Sequence, residues 1–192
     1  MACKFLGRSQ MLAGDRDEAR ETLGRYLALA PKDPSAYMWL GQMDFRQKNY
    51  DQALTRFDQA LELNPDLLDV FANVLLVHMA RKEFDTALAV TDERIQRAEG
   101  APQLQGLLHH MKGEIFQAAG DTAGAQAAFE TALAKNPKLV KTYVALAKVH
   151  LAQGNADEAI AKYQAALETN PKQPSALVAI GAIHDAKGDY AQ

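Results

Sequence analysis

Two side chains in this sequence have the types and the spacing of metal ligands. His110 and Glu114 are four residues apart, so on a helix they share one face and could supply half of a metal site. Because no third ligand falls within evident reach of this pair, we predict no metal. The chain also lacks a Gly-rich phosphate loop, an HExxH motif, a nucleophile elbow and a CxxC pair. The sequence therefore predicts no catalytic residue, no cofactor and no enzyme activity.

Composition and charge narrow the class of protein. The 192 residues are 48% hydrophobic, which is enough to bury a core, and their net charge is −3. Without a basic excess, we do not expect nucleic acid as a partner. The apolar runs are shorter than the roughly 20 residues that span a bilayer, so we expect a soluble segment without membrane insertion, cytoplasmic or periplasmic. Cys3 is the only cysteine, which excludes an internal disulfide and a cysteine-based zinc site.

A repeated helical hairpin runs along the chain. Prolines at positions 31, 65, 137 and 171 are separated by 34, 72 and 34 residues, which fits a period of 34 if four extra residues lie near 99 to 105. Within each period the apolar residues follow helical spacing. Small residues recur where two helices must come close, at Gly7, Gly41, Gly113, Ala147 and Gly181. Each period is therefore predicted to form two antiparallel helices joined by a tight turn.

This pattern resembles the tetratricopeptide repeat (TPR), a 34-residue motif with aromatic, Leu-Gly, Ala and Pro residues at fixed positions. The second period carries Tyr37, Leu40, Gly41, Tyr50, Ala53, Phe57, Ala60 and Pro65. The fifth carries Tyr143, Leu146, Ala147, Gly154, Ala159, Tyr163, Ala166 and Pro171. The resemblance covers the whole chain. It implies an all-α fold, a right-handed superhelical solenoid of antiparallel helix pairs with about five and a half repeats and a concave groove.

The repeats set the predicted domain organisation, which is a single solenoid. They span about 1–33, 34–67, 68–101, 106–139 and 140–173, followed by a partial sixth repeat at 174–192. Because "GDYAQ" at 188 to 192 begins a second helix and stops, we expect a fragment of a longer array. The alternative is that residues 174 to 187 form a lone capping helix.

The third repeat departs from the pattern at its end. Thr91, Arg94 and Glu99 stand in place of the aromatic residue, the alanine and the proline, and the four extra residues follow. We predict its second helix from about Phe84 to Glu99. One interpretation is a drifted repeat with a longer turn, and the other is a bend or a hinge between two sub-arrays. Both predict a local departure in stacking geometry between 91 and 106.

The resemblance also implies a binding surface, because the first helix of each TPR lines the concave groove. The corresponding residues here are Lys4, Arg8, Met38, Trp39, Gln42, Phe45, Arg46, Asn73, Leu76, Met79, His110, Glu114, Lys141 and Lys148. Trp39, the only tryptophan, either anchors a ligand or packs against a neighbouring first helix. If it anchors a ligand, truncation to alanine should weaken binding about tenfold or more.

Three functions are compatible with this interpretation. The leading one is a non-enzymatic scaffold for protein–protein interaction, which holds a peptide or a helix of a partner protein in the groove. The second is the substrate-recognition arm of a larger enzyme or of an envelope or polysaccharide assembly machine. The third is self-association through the end repeats.

Overall fold

The computed structural model describes residues 2–188, and within this range it contains eleven α-helices and no strand. The helices are α1 (Ala2–Ala13), α2 (Arg16–Leu29), α3 (Pro34–Arg46), α4 (Tyr50–Leu63), α5 (Leu68–Ala80), α6 (Phe84–Arg97), α7 (Pro102–Ala119), α8 (Thr122–Lys135), α9 (Val140–Ala152), α10 (Ala156–Thr169) and α11 (Pro174–Lys187). Their order confirms the predicted all-α fold of successive helix pairs, a helical solenoid. The right-handed superhelix stays a prediction, and the predicted start of a further helix at 189–192 lies outside the described residues.

The chain divides into two compact units, residues 1–82 and 83–192. Unit 1 holds α1 to α5, and unit 2 holds α6 to α11. The border lies inside the third predicted repeat, between its first helix α5 and its second helix α6. In both units α1, α3, α5, α7, α9 and α11 are the first helices of their repeats, and the even-numbered helices are the second ones.

The core of unit 1 forms where each hairpin packs on the next one. One cluster joins Met11, Ala19, Leu23, Trp39, Leu40 and Met43, and the other joins Ala53, Phe57, Ala60, Val70, Val74 and Val77. Gly41 explains how α3 and α4 come so close: a Cβ at this position would lie 2.6 Å from Cε1 of Phe57. The small residue of the motif therefore makes room for the aromatic ring of the second helix.

Unit 2 repeats this packing with different residues. Its clusters are Ala125, Phe129, Leu146 and Val149, and Ala147, Ala159, Ile160, Tyr163, Ala176 and Ile183. Gly113 on α7 lies under the Phe129 ring as Gly41 lies under Phe57. Gly120 ends α7 with φ of 81°, a left-handed conformation that costs glycine little.

The turn after the third repeat is no longer than the others, so the predicted longer turn is wrong. Residues 98–101 connect α6 to α7, and this connection has the same length as 30–33 between α2 and α3. The four extra residues instead add a turn to the N-terminus of α7, which has 18 residues where α3 has 13. Pro102 at the start of α7 favours this, because a missing N–H does no harm in the first turn.

The second helix of this repeat begins at Phe84 as predicted and ends at Arg97, two residues earlier than predicted. Thr91 takes the place of the aromatic residue and is fully buried, with its hydroxyl donating to the carbonyl of Ala87 at 2.7 Å. The bond satisfies the hydroxyl in the core. α6 and α7 pack together within unit 2.

Candidate functional site

The candidate site is the side of the first helices that carries the predicted groove residues, which we describe separately for each unit and call its first-helix face. In unit 1, α3 contacts α1 on one side and α5 on the other. In unit 2, a buried hydrogen bond joins His110 on α7 to Thr142 on α9. Leu151 on α9 and Ala182 on α11 line one cavity. The first helices of each unit are thus neighbours, and their side chains can form one surface there.

Trp39 on the first-helix face of unit 1 is buried, with 7% of its surface exposed. It packs in a cluster with Met11 of α1, while Lys4 Nζ and Arg8 Cζ lie 5.9 and 6.0 Å from its ring centroid. Cations at this distance are attracted by the face of an indole ring. Trp39 therefore packs against the neighbouring first helix, the second of the two interpretations above, and two cations cover it.

A half-buried carboxylate holds Lys4 in this position. Lys4 Nζ donates to Asp33 Oδ2 at 2.7 Å, and the Tyr26 hydroxyl donates to the same oxygen at 2.5 Å. The Ser35 amide donates to Asp33 Oδ1 at 2.9 Å, which caps the N-terminus of α3. Burial opposes ionisation of Asp33, but these donors outweigh it and hold the pKa of this carboxyl well below its usual value. Asp33 is thus a charged anchor between α1 and α3.

The other predicted groove residues of unit 1 differ in exposure. Met38, Gln42, Phe45, Asn73 and Met79 are half-buried, whereas Arg8, Arg46 and Leu76 are exposed. The ring of Phe45 lies against Tyr50 at a centroid distance of 5.9 Å. Asn73 Nδ2 donates to the Asp69 carbonyl of its own helix at 2.6 Å, so this amide is engaged already. Leu76 offers the most accessible apolar contact among the predicted residues of unit 1.

The first-helix face of unit 2 contains a hydrogen-bonded chain through His110. Its ring is buried, with 2% of its surface exposed. Nδ1 lies 3.0 Å from the Thr142 hydroxyl, and Nε2 lies 3.4 Å from Glu114 Oε1. The proton on Nε2 faces the Glu114 carboxylate, and Nδ1 shares a hydrogen bond with the Thr142 hydroxyl. His110 therefore joins α7 to α9 and is closed to a ligand.

Glu114 is the exposed end of this chain and faces a lysine. The hydrogen bond from His110 lowers the pKa of Glu114, burial opposes this, and the charge of Lys141 lowers the pKa further. Glu114, Lys141 and Lys148 are all exposed, so they remain available to a partner. Within residues 2–188, no group of three or more His, Cys, Asp and Glu side chains could hold a metal ion.

Several exposed apolar residues of the first-helix faces are missing from the sequence prediction. Phe5 and Leu12 on α1, Leu151 on α9 and Val178 on α11 are all exposed. Each occupies the same repeat position as a residue that the prediction did name. Carrying those positions into every repeat would have found them, since the spacing of 34, with the four extra residues counted, already gave the register.

No helix in the described part of the chain could cross a membrane. None of the helices between residues 2 and 188 combines the length and the apolar character that a membrane crossing requires.

Comparison with known proteins identifies the repeats and one curated relative. Two models of the tetratricopeptide repeat match residues 6–67 and 116–179, together about two thirds of the chain. The relative is cellulose synthase operon protein C of Pseudomonas fluorescens (strain SBW25), which is 29% identical over 151 residues. The match covers 77% of this chain and only 12% of that protein.

Solved structures agree on the fold. A thermophilic TPR protein from Thermus thermophilus matches with a TM-score of 0.67 and 24% identity, covering 95% of this chain and 97% of the other. PilW, a type IV pilus biogenesis factor, matches with a TM-score of 0.70 and 20% identity, covering 98% and 86%. Because both sequence identities are below 25%, these solved structures show only that the fold is shared. With the two repeat matches and the helix pairs described above, they show that the chain belongs to the tetratricopeptide repeat family.

Proposed function

We propose that this chain is a non-enzymatic scaffold that binds a peptide or a helix of a partner protein on its first-helix faces. TPR proteins generally mediate protein–protein interactions, and their fold is typically non-enzymatic. We therefore propose three properties of this chain: its partner is a peptide or a helix, the contacts are on the first-helix faces, and the chain has no catalytic activity. A net charge of −3 favours protein over nucleic acid as the partner.

One observation carries this proposal: exposed apolar side chains concentrate on the first helices. Among the residues that the structure describes, nine large apolar side chains are exposed. Seven of them, Phe5, Leu6, Leu12, Leu76, Leu151, Leu177 and Val178, belong to first helices. The other two, Leu29 and Leu63, are the last residues of second helices. Apolar side chains left exposed on one class of helix favour a surface that binds protein.

Selection of binding peptides tests the proposal. A phage-displayed library of random linear peptides is panned on the purified full chain, and the affinity of each selected peptide is measured by fluorescence polarisation. We expect peptides whose affinity falls about tenfold or more with Leu76→Glu in unit 1 or with Leu151→Glu in unit 2, because a charge replaces an apolar contact. Tenfold corresponds to about 1.4 kcal/mol.

Leu63→Glu is the matched control. Leu63 is 40% exposed and Leu76 is 45% exposed, but Leu63 ends a second helix, so this substitution should leave peptide affinity unchanged. Selection of no peptide at all, or equal losses with the control, contradicts the proposal. Light scattering at increasing concentration shows whether the chain instead associates with itself through α1 or α11, the self-association considered above.

A second candidate function is the recognition arm of a polysaccharide assembly machine. The similarity to cellulose synthase operon protein C favours it, since the match covers 77% of this chain. In this case the partner of the first-helix faces is a subunit of the synthesis or export machinery. Affinity capture from a detergent extract of its own cells with this protein as bait, followed by mass spectrometry, should enrich such subunits. Capture lost with Leu76→Glu or Leu151→Glu but kept with Leu63→Glu would support this role.

A further inference from the structure

Unit 2 has an apolar cavity on its first-helix face. The cavity has a volume of about 410 Å³ and lies between the end of α9, the start of α10 and one side of α11. Its lining is Leu151, Ala156, Ala179, Ala182, Ile183, Ala186 and Lys187. The size is within the range of small-ligand pockets, roughly 300 to 1,000 Å³. Lys187, the one charged residue of the lining, pairs with Asp157 at 2.6 Å. The rest of the lining is aliphatic.

The corresponding place in unit 1 can be identified by an ion pair. Asp51 near the start of α4 pairs with Arg81 after α5 at 2.6 Å, as Asp157 near the start of α10 pairs with Lys187 of α11. In both pairs the two residues are 30 apart in sequence. The two places are therefore equivalent, one between α3, α4 and α5, the other between α9, α10 and α11.

In unit 1 two aromatic side chains occupy the apolar part of this place, and the cavity that remains beside Tyr50 has a polar lining that includes Lys48, Asp51 and Arg81. Phe45 is the second-last residue of α3 and Tyr50 is the first residue of α4, and their rings are in contact at a centroid distance of 5.9 Å. Both pack against the cluster that contains Val77. Leu151 and Ala156 occupy the equivalent positions in unit 2, and Ile183 replaces Val77. The apolar cavity of unit 2 thus lies where two rings of unit 1 are replaced by two smaller aliphatic side chains.

Two exposed charges flank the cavity. Lys148 precedes Leu151 by three residues on α9, and Asp185 follows Ala182 by three residues on α11, so each shares a helix face with a lining residue. Within the described part of the chain, neither Lys148 nor Asp185 belongs to an ion pair. A partner that crosses the cavity therefore meets an unpaired cation on the α9 side and an unpaired anion on the α11 side.

We propose that this cavity takes an aromatic side chain of the partner, which replaces the ring pair found in unit 1. The partner segment carries an acidic residue on one side of the aromatic residue, facing Lys148, and a basic residue on the other side, facing Asp185. This inference rests on the proposed function and adds the identity of the side chain that is recognised.

The test fills the cavity with residues that the fold already accepts at the equivalent place. Peptides are selected on the wild-type chain from the same random library, and their affinities are measured for the double variant Leu151→Phe with Ala156→Tyr. We expect selected peptides to share Phe, Tyr or Trp between an acidic and a basic residue. Because the new rings occupy the cavity, the double variant should bind these peptides about tenfold more weakly or worse. Far-UV circular dichroism checks that the variant is folded.

Charge reversal provides a second measurement. Lys148→Glu should lower the affinity for the selected peptides severalfold. A peptide whose acidic residue is changed to lysine should recover part of this affinity for the Lys148→Glu variant. Peptides without an aromatic residue, or equal affinity for the wild type and the folded double variant, would overturn the cavity proposal. If Leu76→Glu, which lies outside the cavity, still weakens them, the scaffold proposal survives. Failure to select any peptide removes both proposals.

Discussion

The Thr142 hydroxyl lies 3.0 Å from Nδ1 of His110, and both residues are buried between α7 and α9. The bond links the first helices of two successive repeats in unit 2. The opposite nitrogen of the ring contacts Glu114 at the surface, so one imidazole connects a buried hydroxyl to an exposed carboxylate. His110 thus has a structural role at a repeat position implied to face the groove.

Removing this hydroxyl should destabilise unit 2. In Thr142→Val the shape is nearly kept, but Nδ1 of His110 loses its partner in a site without access to water. An unsatisfied buried group costs about 1–3 kcal/mol, which we expect as the loss in free energy of unfolding. Urea denaturation followed by far-UV circular dichroism measures it. The control is Thr169→Val, because the exposed Thr169 hydroxyl bonds only to its own helix at Ala165. Equal effects for the two variants would contradict this role for Thr142.

Gly113 and Gly181 occupy the same repeat position in unit 2 and should respond oppositely to alanine. A Cβ on Gly113 would lie 2.8 Å from Cζ of the buried Phe129 and closer to two other ring carbons, so the ring must shift. We expect Gly113→Ala to lower the free energy of unfolding by about 1–3 kcal/mol. A Cβ on Gly181 meets nothing within 4 Å, and Gly181→Ala should raise helix stability by up to about 1 kcal/mol. Thermal unfolding of the two variants should therefore shift in opposite directions, and shifts of the same sign would contradict the packing described here.

The burial of Trp39 changes what its truncation measures. Because Trp39 is in the core between α1 and α3, Trp39→Ala should lower the free energy of unfolding by about 3–5 kcal/mol. Phe5→Ala is the control: Phe5 on the neighbouring α1 is 62% exposed, so its removal should change stability by about 0.5 kcal/mol at most. Urea unfolding followed by circular dichroism compares the two. If Trp39→Ala were as stable as the wild type, Trp39 would not be a core residue, and the interpretation of Trp39 as a ligand anchor would be favoured.

Much of the architecture could be predicted because it depends on local periodicity. The spacing of prolines and small residues gave the helix pairs, and Gly41 under Phe57 shows the physical cause of that spacing. The extra turn of α7 was missed because a count of four residues does not distinguish a loop from a helical turn. Pro102, a residue favoured at the first helical position, was the signal that could have decided it.

The candidate site was predicted less completely, because the resemblance to the tetratricopeptide repeat implies which side a residue faces and not how far its neighbours cover it. Trp39 occupies a groove position but is covered by Lys4 and Arg8. The cavity near Leu151 has no motif of its own. It becomes visible only when the side chains that fill the equivalent place in unit 1 are compared.

Asp33 should make the stability of unit 1 depend on pH. Its folded pKa is below the usual value of 3.8, so the stabilisation from its charge is complete above about pH 4 and is lost as the pH falls through the lowered folded pKa. Asp33→Asn retains a good cap for α3 but removes the charge that binds Lys4 and the Tyr26 hydroxyl. At pH 7 we expect it to lower the free energy of unfolding by about 1.5–3 kcal/mol, the range for hydrogen bonds to a charged group.

The difference between the wild type and Asp33→Asn should then shrink as the pH is lowered below about 4, because the unfolded wild type takes up a proton on Asp33 there while the folded carboxyl is still charged. Trp39, the only tryptophan, reports on unit 1, so its fluorescence during urea unfolding at a series of pH values measures this difference. The control is Asp66→Asn, which removes the charge of an exposed aspartate in the same unit. A constant difference between about pH 7 and about pH 2.5 would show that the charge of Asp33 does not stabilise the contact between α1 and α3.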